Sequence, residues 1–220
     1  PVADPAVESG TSTLAVEVRD VAKSFGGVLA LDHVSLELRQ GEVHALLGEN
    51  GAGKTPLSNI LCGLYRADAG HVLVGGVERH FLNPAQSIEA GIGMVHQHFK
   101  LVSSMTVAEN LHLGSPDTPT VVSQRKLVAS AKRMMDEIGL TIDPTAKIWQ
   151  LSVGEQQRVE IVRVLARGAR VLILDEPTAV LTAAEASELF AVMRRLVDGG
   201  RTVVFISHKL NEVLEVSDRI

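Results

Sequence analysis

The sequence predicts an α/β fold in which a mixed core sheet is joined by an N-terminal antiparallel β-subdomain and an inserted α-helical subdomain. Apolar runs at 171–174 and 202–206 are typical of strands buried on both faces of a parallel sheet. Apolar and polar residues alternate at 14–18 and 31–38, as they do in half-exposed antiparallel strands. A stretch with helical spacing, 104–165, separates these early strands from the later ones.

The remaining elements follow in chain order. Further strands are predicted at 43–47, 71–77 and 91–96, the second of them with a turn at Gly75-Gly76. Helices are predicted at 57–64, 107–113, 127–138 and 183–197, and a loop at 116–121. Two of these helices begin with a capping-box pattern, formed by Thr106 with Glu109 and by Thr182 with Glu185.

Composition and pattern divide the chain into domains. Residues 1–13 are rich in Pro, Ser, Thr, Ala and acidic residues, which predicts a disordered lead-in. We predict a core with its β-subdomain at 14–97 and 166–220, and a helical subdomain at 98–165. The chain lacks an initiator Met, so we expect it to be a processed form. It ends as apolar character resumes, so we expect the domain or the whole protein to continue past residue 220.

Charge and cysteine content restrict the function. The net charge is −5 with no block of Lys or Arg, so neither nucleic-acid binding nor an electrostatic membrane anchor is expected. The single cysteine, Cys62, rules out an internal disulfide and lies among apolar residues, which favours a buried thiol over a reactive one. We expect no signal peptide and no bilayer-spanning run.

Residues 48–55 match the phosphate-binding pattern G-x-x-x-x-G-K-[ST], between a predicted strand and a predicted helix. Glycines let backbone N–H groups approach phosphate oxygens, and the helix dipole favours an anion. The pattern predicts a P-loop NTPase that binds a nucleoside triphosphate with Mg²⁺; a chance Gly-rich turn is the alternative. The predicted nucleotide-binding residues are Gly48, Glu49, Asn50, Gly51, Ala52, Gly53, Lys54, Thr55 and Pro56. Lys54 would reach the β- and γ-phosphates, and the Thr55 hydroxyl would ligate Mg²⁺.

A second motif is the pair of acids that ends the apolar run at 171–174. Ligands of open α/β sheets lie at the carboxyl ends of strands. We therefore expect Asp175 to hold Mg²⁺, directly or through water, and Glu176 to act as general base toward an attacking water. Exposed acids that merely end a strand are the alternative.

Residues 151–158 read LSVGEQQR and resemble the signature loop of ATP-binding cassette (ABC) ATPases, usually LSGGQQQR. The resemblance implies a head-to-tail dimer in which Ser152, Gly154 and Glu155 meet the ATP of a second cassette, possibly one in the same polypeptide. Ser152 and the backbone at Gly154 are expected to start a helix and offer donors to an anion. Val153 and Glu155 depart from the family pattern, and either could weaken that contact.

The resemblance carries over to three further positions. Gln97 resembles the Q-loop glutamine, which senses Mg²⁺ or water and couples to the helical block; a solvated Gln is the alternative. His208 resembles the switch histidine that contacts the γ-phosphate, unless it is structural. Phe25 resembles the aromatic residue that stacks on adenine, with a core Phe as competitor.

The motifs together resemble the importer branch for simple sugars and nucleosides, and we favour nucleosides. This branch implies membrane permease subunits as partners, a substrate-binding protein acting indirectly, and a place at the cytoplasmic face of the membrane. Thr182 stands where the family usually has an acid, so communication across the dimer could be asymmetric. A soluble ABC ATPase without a permease and a weakly hydrolysing regulatory cassette remain alternatives.

Pro56 is the departure with the clearest chemical consequence. The family usually has Thr here, and its hydroxyl and backbone N–H are expected to donate to the α-phosphate. Proline has neither donor, yet it is tolerated in the first turn of a helix, where N–H groups lack intrahelical partners. The sequence predicts a normal fold with a weakened triphosphate site.

Overall fold

The computed structural model describes residues 13–49, 51–97, 99–114 and 123–220. Within these ranges the strands form two separate four-stranded sheets, one parallel and one antiparallel. The predicted α/β class is confirmed. Both parallel and antiparallel pairs occur, but they lie in separate sheets. No helix of the described ranges is both long and apolar enough to cross a bilayer.

The parallel sheet contains β3 (Val43–Leu47), β6 (Ile92–Val95), β7 (Val171–Asp175) and β8 (Thr202–Ser207) in the order β3-β8-β7-β6. Its two central strands, β7 and β8, are buried almost throughout, as their apolar runs predicted. Asp175 pairs with Ile206, and Leu47 pairs with Ser207. The carboxyl ends of the strands therefore lie side by side at one edge of the sheet.

The antiparallel sheet contains β1 (Leu14–Phe25), β2 (Val28–Arg39), β4 (Ala69–Val74) and β5 (Val77–Arg79) in the order β2-β1-β4-β5. Tight hairpin turns join β1 to β2 at Gly26-Gly27 and β4 to β5 at Gly75-Gly76. All four glycines have positive φ. Such turns need this backbone conformation because it matches the twist of the paired strands. The alternating patterns thus predicted the strand type, although β1 and β2 are longer than predicted.

The helices are α1 (Lys54–Leu61), α2 (Pro84–Glu89), α3 (Val107–His112), α4 (Gln124–Asp136), α5 (Val153–Ala166), α6 (Ala183–Asp198) and α7 (Leu210–Val216), with a 3₁₀ turn at Ile148–Gln150. The two predicted capping boxes, at Thr106 and Thr182, are present. Sequence reasoning missed α2 and α7. Asn83 caps α2 and Pro84 opens it, a start signal that was readable in the sequence.

Two cores lie on opposite faces of the parallel sheet. On one face, α1 is packed between the parallel and antiparallel sheets, where Leu57 and Leu61 belong to the same buried cluster as Val18 and Ile173. On the other face, helices α3 to α6 share a larger core with β7 and β8. Cys62 is buried in the first core, and burial raises the pKa of its thiol to about 12. The expected buried thiol is confirmed.

Nothing in this arrangement tests the predicted domain boundaries, which stay predictions. The predicted lead-in falls almost wholly outside the described residues, as does the predicted loop at 116–121. Asn50 lies outside them as well.

Candidate nucleotide-binding site

The loop between β3 and α1 is a tight backbone turn that depends on glycine. Gly53, the residue before α1, has φ of 88°, and so has Gly51. A Cβ atom at Gly53 would lie 2.9 Å from Leu31 Cδ2 and 3.0 Å from the carbonyl oxygen of Ala30. Position 53 therefore needs glycine both for its φ and for its lack of a side chain. The turn aims the first-turn N–H groups of α1 into the loop, as an anion site requires.

The side chain of Lys54 forms hydrogen bonds to the backbone of this loop. Its Nζ donates to the carbonyl oxygens of Gly48, at 2.6 Å, and Glu49, at 2.9 Å. A Cβ atom at Gly48 would approach Ala52 Cβ to 3.2 Å, so this end of the loop is also closely packed. The ammonium group is thus held over the backbone of the loop, where it can exchange carbonyl acceptors for phosphate oxygens.

An open cleft of about 670 Å³ lies beside the loop. Lys54, Thr55 and Pro56 line one side of it. The side formed by the carboxyl edge of the parallel sheet contributes Gln97, Asp175, Glu176 and His208. These residues are far apart in the sequence but meet because β6, β7 and β8 are parallel and end at the same edge.

Asp175 is the last residue of β7 and is partly buried in this cleft. Burial is the main cause that raises the pKa of its carboxyl group, and the charge of Glu176 raises it further. The ammonium of Lys54 acts in the opposite direction. A cation bound here would favour the ionised form, because it would compensate the charge that burial penalises.

Glu176 and His208 contact each other across the cleft. His208 Nδ1 lies 2.7 Å from Glu176 Oε2, and the Glu176 side chain is 15% exposed. Glu176 has φ of 49°, a left-handed conformation that is unfavourable for a residue with a side chain. Its N–H donates to the carbonyl oxygen of Ile206 at 3.0 Å, which fixes the turn after β7 to β8. The backbone therefore turns sharply here, and Asp175 and Glu176 line the same cleft as the loop residues Gly53 and Lys54.

A network of polar side chains stabilises this edge of the sheet, and the sequence analysis did not predict it. Thr178, which is buried, donates through Oγ1 to Glu212 Oε2 at 2.5 Å. Lys209 Nζ donates to Glu212 Oε1 at 2.9 Å and to the carbonyl oxygen of Thr178 at 3.3 Å. The network ties the segment after β7 to the segment after β8, and so sets the spacing between Glu176 and His208. The i,i+3 spacing of Lys209 and Glu212 was its only signal in the sequence.

The model of the ABC transporter family matches residues 31–179, a span that contains the phosphate loop, the acids and the LSVGEQQR segment. The chain belongs to this family. It is 47% identical to the nucleoside import ATP-binding protein NupA of Lactococcus lactis, over 93% of the chain and 41% of NupA. It is 46% identical to the ribose import ATP-binding protein RbsA 1 of Rubrobacter xylanophilus, over 93% of the chain and 41% of that protein.

A third relative is the glucose import ATP-binding protein TsgD13 of Haloferax volcanii, with 44% identity over 93% of the chain and 42% of that protein. The chain spans about two fifths of the length of these curated relatives. Among solved structures it is similar to a nucleotide-free ATP-binding cassette of an ABC transporter, with a TM-score of 0.83 and 28% identity, covering 93% of this chain and 85% of that one. It is also similar to the dimeric bacterial ABC transporter cassette MJ0796, with a TM-score of 0.77 and 27% identity, covering 93% of each chain.

In this ABC cassette the signature loop starts α5, as expected. Ser152 caps the helix and accepts from the N–H of Glu155, and Glu155 Oε2 accepts from the N–H of Ser152 at 2.8 Å. Glu185 Oε1 accepts from the N–H of Gly154 at 3.2 Å. Two carboxylates of the chain itself thus occupy backbone donors of the signature loop. Ser152, Gly154 and Glu155 are not among the residues that line the cleft described above.

Phe25 lies at the hairpin between β1 and β2 and is 41% exposed, so the alternative of a core Phe is wrong. Its ring packs edge-on against Tyr65, with centroids 5.1 Å apart, and Lys23 Nζ lies 5.4 Å from its centroid. Phe25 is not one of the residues lining the cleft, whereas Val28 and Leu29, across the same hairpin, are. Its part in binding adenine stays a prediction.

The residues that would hold Mg²⁺ have suitable chemistry. Mg²⁺ prefers oxygen ligands and usually binds one or two carboxylates together with phosphate oxygens. The Thr55 hydroxyl, the Asp175 carboxylate and the Gln97 amide oxygen belong to side chains that line the same cleft. The donor set therefore fits this ion.

Proposed function

We propose that this chain is an ATP-binding and ATP-hydrolysing cassette that powers import of nucleosides or simple sugars. The observation that carries the proposal is the single cleft lined by Lys54, Thr55, Gln97, Asp175, Glu176 and His208. Similarity to import ATP-binding proteins named for nucleosides, ribose and glucose supports the transport class. Because the chain spans only part of those proteins, its partners and solute belong to the proposal.

Binding begins at the phosphate loop. Lys54 leaves the carbonyl oxygens of Gly48 and Glu49 and donates to the β- and γ-phosphates, while N–H groups of the loop and of α1 donate to the other phosphate oxygens. Thr55, Asp175 and Gln97 are the residues that would hold Mg²⁺. When bound, this ion neutralises charge on the phosphate oxygens.

Hydrolysis needs a base and a group that positions it. Glu176 takes a proton from water, the water oxygen attacks the γ-phosphorus, and ADP leaves with the electron pair of the broken P–O bond. His208, already in contact with Glu176 Oε2, orients that carboxylate and donates to the γ-phosphate. Burial of Asp175 and the half-buried position of Glu176 place both acids in a low-dielectric site, where charge interactions are strong.

The remaining partners follow from the signature loop and the transport class. Ser152, Gly154 and Glu155 would meet the ATP of a second cassette in a head-to-tail dimer, possibly one within the same polypeptide. Permease subunits would bind the helical block at the cytoplasmic face of the membrane, and a substrate-binding protein would act indirectly through them. Closure of the dimer and its release after hydrolysis would drive the permease.

Steady-state ATPase measurements test the catalytic part. Glu176→Gln should lower kcat at least about 100-fold while ATP binding is kept, because the base is removed but the loop is not. Lys54→Ala should instead weaken ATP binding itself. Glu215→Gln, at an exposed acid of α7, is the matched control and should behave like the wild type. Equal hydrolysis by wild type and Glu176→Gln would contradict catalysis by this cleft.

Uptake assays test the solute class. The full-length protein, reconstituted in vesicles with its permease, should import nucleosides or simple sugars in an ATP-dependent manner. Competition between a radiolabelled nucleoside and ribose separates the two classes. ATP-dependent uptake of neither class would contradict the importer assignment, even if ATP hydrolysis is confirmed.

Two observations favour a second candidate, a cassette that binds nucleotide but hydrolyses it weakly. Pro56 lines the cleft without a backbone N–H, and the carboxylates of Glu155 and Glu185 occupy donors of the signature loop. Both features remove favourable contacts from an ATP site. A kcat that rises when Pro56→Thr is introduced would support this reading.

A further inference from the structure

The chain segment that follows Gln97 is held by side chains of the helical block. Glu160 Oε1 accepts from the N–H of Lys100 at 2.5 Å. Arg163 donates through one guanidinium nitrogen to the carbonyl oxygen of Lys100 at 2.9 Å, and through the other to Glu160 Oε2 at 2.7 Å. One ion pair on α5 thus binds both backbone polar groups of a single residue, three positions after Gln97.

The ion pair is largely buried. The Glu160 side chain is 4% exposed and that of Arg163 is 13% exposed. Burial raises the pKa of Glu160, while Arg163 and the Lys100 N–H act to lower it. Burial lowers the pKa of His96, which is next to Gln97, and the positive charges of Lys100 and Arg163 lower it further. A buried ion pair is costly unless its hydrogen bonds are satisfied, and here the backbone of Lys100 satisfies them.

A second side chain repeats this arrangement two residues later. Asn110, fully buried on α3, accepts from the N–H of Val102 at 2.7 Å and donates to its carbonyl oxygen at 3.1 Å. The segment 100–102 is therefore bound at two successive points to α5 and α3. Any displacement of this segment must move the helices with it or break four hydrogen bonds, three of them partly buried.

The same helix α5 begins at the signature loop. Glu160 lies eight residues after Ser152, about 12 Å along a helix that rises 1.5 Å per residue. One end of α5 thus carries Ser152 and Gly154, and its middle binds the segment that continues from Gln97. Gln97 itself lines the cleft with Lys54 and Asp175.

We propose that Glu160 and Arg163 are positioning residues that connect Gln97 to the signature loop, so that nucleotide in the chain's own cleft changes the presentation of Ser152 and Gly154. The proposal rests on the proposed function, because it needs nucleotide in the cleft. It assigns to one buried ion pair the coupling between two sites of the same chain. Coupling between two sites requires a structural element whose position depends on both of them. Helix α5, together with the segment 100–102 that it binds, is that element.

Amide hydrogen exchange tests the connection without requiring hydrolysis. With Mg²⁺ and a non-hydrolysable ATP analogue, the wild-type chain should show slower exchange at 48–56 and changed exchange at 152–155. In Arg163→Ala and Glu160→Ala the change at 48–56 should remain, and the change at 152–155 should fall to less than about a third. Arg163→Lys keeps the charge and should restore part of the distant response.

Arg194→Ala is the matched control, since it removes an arginine of α6 that lies outside the signature segment and whose ion-pair partner, Asp218, does not bind the Gln97 segment. It should leave both responses unchanged. Glu160→Gln, which keeps an acceptor for the Lys100 N–H, serves if the alanine variants fail to fold; it should show an intermediate response. In steady-state ATPase assays, the folded Glu160→Ala and Arg163→Ala variants should lose at least about tenfold in kcat, with little change in ATP affinity by calorimetry.

The experiment distinguishes a failure of this connection from a failure of the proposed function. A response at 152–155 that survives in the Glu160 and Arg163 variants, or that is absent from the wild type, would overturn the connection while leaving the proposed function intact. A wild-type chain without nucleotide-dependent change at 48–56 would overturn the proposed function and, with it, the connection.

Discussion

At the residue scale, Pro56 and Gly53 show how single positions set the quality of the phosphate loop. Pro56 is the third residue of α1, and the first intrahelical bond runs from the N–H of Leu57 to the carbonyl oxygen of Gly53. The helix thus loses no hydrogen bond to proline, as the sequence predicted. What is lost is a donor facing the cleft.

We predict that Pro56→Thr tightens ATP binding. A hydrogen bond to a charged group contributes about 1.5–3 kcal/mol, so the dissociation constant should fall by one to two powers of ten as an upper range. Titration calorimetry measures it. Pro84→Thr, in the first turn of α2 and away from the cleft, controls for loss of a proline and should not alter affinity. Equal dissociation constants for Pro56→Thr and the wild type would refute the prediction.

We predict that Gly53→Ala destabilises the fold more than Gly168→Ala does. Both glycines have positive φ, 88° and 92°, but an added Cβ meets Leu31 and Ala30 only at position 53 and finds no atom within 4 Å at position 168. The shared φ penalty is about 1–2 kcal/mol, and the clash adds to it at position 53. Urea unfolding compares the two. Equal losses would mean that the loop shifts to accept the methyl group.

At the element scale, helix α5 contributes to three features of the molecule. Its first turn carries the signature loop, its apolar side packs in the larger core, and its ion pair holds the segment after Gln97. Sequence reasoning predicted the first of these from a motif. It missed the ion pair, because Glu160 and Arg163 look like an ordinary i,i+3 pair on a helix until their burial is known.

We predict that Arg163→Ala costs about 3 kcal/mol of unfolding free energy, because it leaves Glu160 buried without its ion-pair partner. The loss should grow as pH rises. The folded-state pKa of Glu160 is already raised, and removing Arg163, which lowers it, raises it further. A carboxyl with a raised folded-state pKa contributes stability below its unfolded-state pKa and loses it as pH rises through the folded-state pKa.

Urea unfolding at about pH 5 and pH 8 measures this loss, since the ordinary pKa of Glu lies below that range. Arg158→Ala should cost under about 1 kcal/mol with little pH dependence, because its partner Glu188 is solvent-exposed. A pH-independent loss in Arg163→Ala would show that the arginine acts by packing alone.

At the scale of the whole molecule, two cores on either face of the parallel sheet place the cleft at the carboxyl edge. The first core holds α1 between two sheets, and so fixes the helix at which the phosphate loop ends. The second core attaches the helical block to the far face of the same sheet. The parallel sheet is therefore common to the loop, the acids and the segment after Gln97.

We predict that Cys62 does not react with a thiol reagent unless the molecule opens. It is buried in the first core, and its thiol pKa is raised to about 12, so almost no thiolate exists near pH 8. Labelling with a chromogenic disulfide should be slow in the native state and fast in denaturant. Ala129→Cys, at an exposed position of α4, should add one thiol that labels at once. Rapid native labelling of Cys62 would contradict the packing of α1 between the two sheets.

The motifs and most of the helices and strands could be predicted from local sequence patterns. Gly53, Lys54 and Thr55 sit in a contiguous motif, and the apolar runs ending at Asp175 and Ser207 specify buried parallel strands, so local pattern was enough to predict them. The roles of the individual site residues stay predictions. Three contacts became known from the folded structure: Glu176 with His208, the exposed Phe25 with Tyr65, and Glu160 and Arg163 with Lys100. These contacts join residues far apart in the chain, and their energies depend on burial and relative orientation, which no local pattern encodes.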